Sequence, residues 1–148
     1  YPDLLNTWEA KVLEVEMSSE TALAWYRNPS SAKPESLGIV YYEDGQANIL
    51  RPDFVFFTQD TERGVTANLV DPHGHHLADS ILKLRGLRDY AERHGSGFDR
   101  IEAVAETDDG FRFLDIQCAE VRSAIGTASS ARALFQGTLA KPYPSQSK

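Results

Sequence analysis

The chain has 148 residues, with 22 acidic and 15 basic side chains and a formal net charge of -7 at pH 7. This length is enough for one domain with a substantial core, and 41% apolar residues argue against wholesale disorder. The acidic balance argues against a broad basic surface that coats nucleic acid. A single cysteine, Cys118, excludes an internal disulfide framework and a cysteine-rich zinc site.

We expect a cytoplasmic protein with no membrane partner. The sequence has no run of about 18 apolar residues that could span a bilayer. Its first residues lack the basic and then apolar pattern of a signal peptide. One free cysteine also fits a reducing compartment.

The first segment predicts two helices and a loop. Residues 3–17 place four apolar side chains on one helical face, namely Leu5, Trp8, Val12 and Val15. A second short helix is expected over residues 19–26, and Pro29 ends it because proline restricts the residue before it. Residues 28–36 are typical of a turn-rich loop.

Three strands follow in the prediction. Residues 37–42 are rich in β-branched and aromatic side chains, and Glu43-Asp44-Gly45 is a hairpin turn signal. Residues 49–58 and 66–71 form the next two strands. The continuous apolar run at residues 54–57 is typical of strands covered on both faces, as in a sheet flanked by helices.

The hydrophobic period becomes helical over residues 76–94, with Gly95 as the C-terminal cap. Two further strands and a closing helix are expected over residues 98–105, 111–117 and 119–125. The order α-α-β-β-β-α-β-β-α predicts an α/β fold with a mixed central sheet flanked by helices. We assign residues 1–125 to this single domain and residues 126–148 to a loosely attached or extended tail rich in Ser, Ala and Pro.

Two aspartates stand at special positions in the predicted sheet. Asp53 follows Pro52 directly, and Asp71 ends a strand because Pro72 cannot donate to a central ladder. If these two strands pair as a hairpin, the carboxylates lie side by side and need a proton or a cation to neutralise them. Mg²⁺ is the natural cation for oxygen ligands. The alternative interpretation is that Asp53 caps a turn and Asp71 opens the loop at Pro72-His73-Gly74.

Residues 51–55 (Arg-Pro-Asp-Phe-Val) and 68–74 (Asn-Leu-Val-Asp-Pro-His-Gly) resemble the core of PD-(D/E)XK nucleases. The closest version is the C-terminal domain of type III restriction subunits and related superfamily 2 (DEAD/DEAH) helicases. Residues 25–29 look like the tryptophan-asparagine segment that precedes the first core strand in that family. The resemblance covers roughly residues 20–105.

The resemblance implies a restriction-endonuclease-like core of α-β-β-β-α-β order that hydrolyses DNA with Mg²⁺ or Mn²⁺. The metal ligands implied are the carboxylates of Asp53 and Asp71 and the backbone carbonyl of Pro72. His73 occupies the position of the family's lysine and would act as a base or as a donor to phosphate. Lys83, on the following helix, would be an auxiliary cation.

The resemblance further implies that the domain serves a helicase-type restriction or phage-defence protein. The sequence has no P-loop motif, so an ATPase motor would lie elsewhere on the same chain or on a partner chain. A glutamate of the first helix joins the site in this family, and the spacing does not choose among Glu9, Glu14 and Glu16.

Two alternative functions stay open. The fold could be a catalytically degenerate DNA-docking or protein-interaction module, which the substitution at His73 and the acidic balance favour. A third hypothesis is a transition-metal site formed by His73, His75 and His76.

Overall fold

The computed structural model describes residues 7–29, 31–73 and 80–144. The helices in these ranges are α1 (Thr7–Met17), α2 (Ser80–His94), α3 (Ala119–Thr127) and α4 (Ala131–Gln136). The strands are β1 (Ala22–Arg27), β2 (Ile39–Glu43), β3 (Gln46–Leu50), β4 (Phe54–Asp60), β5 (Gly64–His73), β6 (Arg100–Thr107), β7 (Gly110–Asp115) and β8 (Lys141–Pro142).

A six-stranded sheet in the order β1-β4-β5-β6-β7-β8 forms the centre of the molecule. Its neighbours run antiparallel except β5 and β6, which are parallel and are joined by the crossover helix α2. The predicted α/β class, a mixed sheet flanked by helices, is confirmed at this level. Strands β2 and β3 form a separate hairpin between β1 and β4 in the chain.

The sheet is covered on both faces, as its apolar strands predict. Because side chains alternate along a strand, neighbours in β5 join different halves of the core. Leu69 packs with Leu84 of α2, and Val70 packs with Phe54 and with Val12 of α1. Helix α1 therefore covers one face, and α2, α3 and α4 cover the other.

The predicted helix over residues 19–26 is wrong, because this segment forms strand β1 at the edge of the sheet. Trp25 lies opposite Phe56, and its ring packs edge-on against Phe54 at a centroid distance of 6.0 Å. A helix this short is unstable in isolation. Pairing with β4 satisfies the backbone groups of β1 and favours its aromatic residues.

The predicted strand over residues 49–58 is two strands. The chain leaves the hairpin after Leu50 and enters the main sheet at Phe54, with Arg51, Pro52 and Asp53 between them. Proline lacks the donor that a continuous ladder requires, which accounts for the break. The first three neighbours in the main sheet are therefore β1, β4 and β5. The first of the three predicted strands, over residues 37–42, belongs to the separate hairpin.

The turn predicted before this break is confirmed. Asp44 and Gly45 form a two-residue hairpin loop with φ values of 50° and 80°. Two successive positive φ values are characteristic of the type I′ turn, which follows the twist of the flanking strands.

The remaining predicted elements agree with the structure apart from their ends. The strands expected over residues 66–71, 98–105 and 111–117 correspond to β5, β6 and β7, and the helix over 119–125 corresponds to α3. Helix α2 is observed from Ser80, and residues 76–79 of its predicted span lie outside the described residues. Residues 3–6 of the first predicted helix also lie outside them.

The expectation of a loosely attached tail is wrong for residues 126–144. Helix α4 places Phe135, which is fully buried, against the core beside α2. The Arg112 guanidinium donates to the carbonyls of Phe135, Gly137 and Ala140, which ties the segment to β7. Within the described residues, none of the helices is long and apolar enough to cross a membrane.

Candidate functional site

Asp53 and Asp71 meet at one end of the sheet. Phe54 of β4 pairs with Val70 of β5, so the next residues outward are the two aspartates. The backbone N–H of Asp53 donates to Oδ1 of Asp71 at 3.1 Å. The hypothesis that these strands form a hairpin correctly predicts this proximity.

Asn28 holds the backbone of Asp53 through a second hydrogen bond, to the carbonyl rather than the N–H of Asp53. Its N–H donates to the carbonyl of Asp53 at 2.8 Å. Its side-chain amide, which is buried, both donates to the carbonyl of Leu37 and accepts from the N–H of Leu37, each at 2.8 Å. Asn28 therefore joins the end of β1, the start of β4 and the loop before β2.

Burial and nearby negative charge raise the pKa of Asp53 to about 8. Burial is the largest cause, followed by the carboxylates of Asp71 and Glu9. The cationic side chains of Arg27 and Lys83 act in the opposite direction. Glu9 of α1 and Lys83 of α2 thus lie close enough to affect the pKa of Asp53. Lys83 is the lysine that was predicted from sequence.

Glu9 is the acidic residue of α1 that faces this site. It is 7% exposed, and its Oε1 lies 3.0 Å from the Arg27 guanidinium. Glu14 is exposed, and Glu16 is buried in a separate cluster. Sequence spacing did not identify which of the three glutamates faces the site, and it did not point to Arg27. Both depend on how α1 lies across β1, which is a tertiary contact.

His73 follows Asp71 by two residues, so both side chains point to the face covered by α2. Its Nε2 lies 3.3 Å from Oδ2 of Asp71, but among the described residues this nitrogen has no hydrogen-bond partner. The side chain is 5% exposed, and its ring lies 6.1 Å from that of Phe135. The imidazole therefore lies beside the carboxylate, with a buried nitrogen that the described part of the chain does not satisfy.

The donor set suits a hard cation that keeps part of its water. Asp53 and Asp71 offer carboxylate oxygens, and the half-buried Pro72 offers a backbone carbonyl. The described residues contain no group of three or more His, Cys, Asp or Glu side chains that could hold one ion. Mg²⁺ typically uses one or two carboxylates and completes its shell with water and substrate phosphate. The residues present therefore fit Mg²⁺ or Mn²⁺.

Of the three histidines in the hypothesised transition-metal site, the structure describes His73 alone. Gly74, His75 and His76 lie outside the described residues. The proposed set of His73, His75 and His76 accordingly stays a prediction.

A second polar cluster, which sequence analysis did not identify, lies under α1. The Arg100 guanidinium contacts the carboxylates of Glu16 and Glu102, and Tyr143 donates to Oε2 of Glu16 at 2.7 Å. Nε of Arg100 also donates to Oδ1 of Asn68 at 3.1 Å. Burial, with the carboxylates of Glu16 and Asp115, raises the pKa of Glu102 to about 7 against the opposing charge of Arg100. These groups satisfy one another, as buried polar groups must.

Comparison with known proteins assigns the chain to a family. The model of the YagJ family matches residues 1–144. The chain belongs to the YagJ family. Protein YagJ of Escherichia coli (strain K12) is 48% identical over 143 residues, a match that covers 97% of this chain and 58% of that protein. The chain thus spans a little over half the length of this YagJ relative, and no solved structure matches it.

Proposed function

We propose that this chain is a metal-dependent DNA endonuclease domain of the PD-(D/E)XK type. The observation that carries the proposal is the meeting of Asp53 and Asp71 at neighbouring strand ends, with the pKa of Asp53 raised to about 8. Two adjacent carboxylates with one raised pKa make a site that a cation would stabilise. Clefts with strongly perturbed carboxyl groups are often catalytic.

The order of elements supports the same proposal. With the β2–β3 hairpin set aside as an insertion, the chain runs α1, β1, β4, β5, α2, β6. This is the α-β-β-β-α-β order that the resemblance implies. The three carboxylates would come from α1, β4 and β5, and the lysine from α2.

In the proposed reaction, the oxygen of a water molecule bonds to phosphorus, the P–O bond to one deoxyribose oxygen breaks, and that oxygen leaves as a hydroxyl group after taking a proton from solvent. A bound Mg²⁺ or Mn²⁺ would supply an acidified water and would offset the phosphate charge. Asp53, Asp71 and the carbonyl of Pro72 would hold it. His73 would accept the proton of the attacking water when neutral, and Lys83 would contact the phosphate. Glu9, paired with Arg27, would add negative charge at the metal side of the site.

We place this domain in a helicase-type restriction or phage-defence protein, with the ATPase motor on the same or a partner chain. The net charge of -7 predicts weak, salt-sensitive DNA binding by the isolated chain. Most of the DNA affinity would then come from the motor.

The proposal is tested with supercoiled plasmid and Mg²⁺ or Mn²⁺. We expect Asp53→Asn and Asp71→Asn each to reduce cleavage by roughly 100-fold or more, because each removes a carboxylate from the metal. Asp109→Asn, at an exposed turn, is the matched control and keeps full activity. Equal cleavage by all four proteins would show that the site assignment is wrong.

The residue at the lysine position favours a second candidate, a degenerate nuclease fold that docks DNA or protein. His73 is buried with Nε2 unpartnered within the described residues, and its imidazole does not supply the ammonium group of the lysine whose position it occupies. His73→Lys distinguishes the candidates. Cleavage by wild type supports the enzyme, whereas cleavage that appears only in His73→Lys supports the degenerate module.

A further inference from the structure

The β2–β3 hairpin leaves a groove beside α2 that the proposed nuclease site does not use. The groove has a volume of about 480 Å³. Its walls are the strand residues Val40, Tyr41 and Tyr42 and the helix residues Leu82, Arg85, Gly86, Arg88, Asp89 and Arg93. No residue of β3 lines it, so it borders the edge of β2 that faces away from β3.

That edge of β2 has no strand partner within the described residues, since β2 pairs with β3 alone. Glu43 and Gln46 close the two-residue loop and therefore form a hydrogen-bonded pair. By alternation, Val40 and Tyr42 fall in the pairs that are not hydrogen-bonded and direct their backbone N–H and C=O groups outward. The groove thus meets a strand edge with backbone donors and acceptors available.

The outer face of the hairpin is apolar and exposed. Val40 is 46% exposed and Tyr42 is 68% exposed, and Ile49, which pairs with Val40, is 51% exposed. The alternate residues Ile39 and Tyr41 point inward and pack on the core. A strand added beside β2 would extend this apolar face.

The helical wall of the groove is basic although the chain is acidic. Three arginines line it against one aspartate, Asp89. Arg88 pairs with Asp89 at 2.8 Å, whereas Arg85 donates to the carbonyls of Ile125 and Ala128 and Arg93 donates to the carbonyl of Asp89. Among the described residues no carboxylate forms an ion pair with Arg85 or Arg93, so the positive charge of this wall favours an anionic occupant.

We propose that this groove binds an extended acidic segment of a partner protein, which adds to β2 as a third strand. Backbone hydrogen bonds to Val40 and Tyr42 would hold the segment, as in other cases of strand addition. Its acidic side chains would face Arg85 and Arg93, and its apolar side chains would lie beside Val40 and Tyr42. A second copy of this chain fits less well, because edge-to-edge pairing would bring two sets of arginines together.

Two proline variants test strand addition with a matched control. Val40→Pro removes an outward N–H at the groove edge, and Ile49→Pro makes the same change on the outer edge of β3, away from the groove. Proline is tolerated at such edge positions because the ladder N–H groups are retained. Circular dichroism and thermal melting establish that both variants keep the fold.

Binding is measured by fluorescence anisotropy with a short labelled peptide in which glutamate alternates with valine. We expect micromolar binding to the full chain, a loss of about tenfold in Val40→Pro and no change in Ile49→Pro. Arg93→Glu, at an exposed position, should weaken binding by about fivefold or more. A peptide with lysine in place of glutamate should not bind.

Four results would overturn the proposal. Two concern the peptides: equal binding of the acidic and basic peptides, and equal loss of binding in the two proline variants. The other two are binding of a single-stranded thymidine oligonucleotide in place of the acidic peptide, and a wild-type dimer that Val40→Pro dissociates. None of these measurements depends on nuclease activity.

Discussion

Among the described ionisable groups of the candidate site, the Asp53 carboxyl has the clearest shift in pKa. The fold disfavours its negatively charged form. The Asp53 side chain is partly buried, and the nearby carboxylates of Asp71 and Glu9 both disfavour its negative charge. The opposing charges of Arg27 and Lys83 do not cancel these effects, and the pKa stays near 8. At neutral pH without metal, this group is therefore mostly protonated in the folded chain.

A pH dependence of stability follows. The pKa of Asp53 is about 8 in the fold and 3.8 in a model compound, so between these values the folded state binds more protons than the unfolded state. The free energy of unfolding should therefore fall as pH rises from about 4 to 8, by a few kcal/mol. Thermal melting in a chelator, compared between wild type and Asp53→Asn, measures this.

The slope should be shallower in Asp53→Asn, and a part should remain because the pKa of Glu102 is also raised, to about 7. Glu102→Gln is the matching variant in the second cluster. Mg²⁺ at pH 8 should raise the melting temperature of wild type but not of Asp53→Asn, since a ligand of the folded state stabilises it. Identical pH profiles for wild type and Asp53→Asn would contradict the assignment.

Asn28 tests the support of the site. Asn28→Ala removes both hydrogen bonds to the backbone of the partly buried Leu37 and leaves its N–H and carbonyl without these partners. We expect a loss of about 2–4 kcal/mol in the free energy of unfolding, measured by urea denaturation. Asn48→Ala, whose amide makes only a 3.5 Å contact to the carbonyl of Gln46, should cost less than about 1 kcal/mol. Equal losses in the two variants would mean that the side-chain hydrogen bonds of Asn28 do not stabilise the junction of β1, β4 and the loop before β2.

At the scale of elements, the close approach of the hairpin to α2 depends on one helical glycine. A Cβ placed on Gly86 would lie 2.8 Å from Cβ of Tyr41, an atom fixed to the strand backbone. A Cβ on Gly126, in α3, would lie 2.8 Å from Nη1 of Arg88, the end of a flexible side chain. Both glycines lie in helices, but only Gly86 faces an atom that cannot move away without a shift of the backbone.

Alanine substitution should therefore destabilise the fold at Gly86 but not at Gly126. Gly86→Ala should destabilise the fold by about 1–3 kcal/mol, because the hairpin must shift away from α2. Gly126→Ala should be neutral or stabilising by up to about 1 kcal/mol, because Arg88 can move and alanine favours a helix. Chemical denaturation measures both, and a stabilised Gly86→Ala would show that the hairpin is not seated on α2.

At the scale of the whole molecule, the C-terminal segment is part of the core rather than an appendage. Phe135 is fully buried, and Tyr143 reaches the carboxylate of Glu16 in α1 from the other end of the chain. The segment thus supports both faces of the sheet. Its β8 strand also pairs with β7 at the edge of the sheet.

Phe135→Ala tests this integration. The substitution removes a large buried side chain beside His73, and we expect a loss of about 3–5 kcal/mol in the free energy of unfolding. Gln136→Ala, at the next and exposed position, should change stability by no more than about 0.5 kcal/mol. A tail that is only loosely attached would give similar small effects for both, as urea denaturation would reveal.

The amino-acid sequence by itself determined the features that depend on near neighbours. Helical periodicity located α1 and α2, and the turn at Asp44-Gly45 was predicted from its residue types, which tolerate the two positive φ values observed. Pro52 before Asp53 and Pro72 after Asp71 drew attention to these two aspartates, and the sequence predicted that they would lie side by side if their strands paired as a hairpin. These signals are local, because each arises from residues within a few positions of one another.

Only the tertiary structure decided the features that depend on distant partners. Residues 22–27 become a strand because the edge of β4 offers backbone partners, although the local pattern favoured a helix. Glu9 rather than Glu14 or Glu16 faces the site because of the way α1 crosses the sheet. The hairpin edge and its arginine wall form only when β2 lies along α2. In each case the deciding free energy comes from contacts between residues that are far apart in the sequence, and a local sequence pattern carries no information about such contacts.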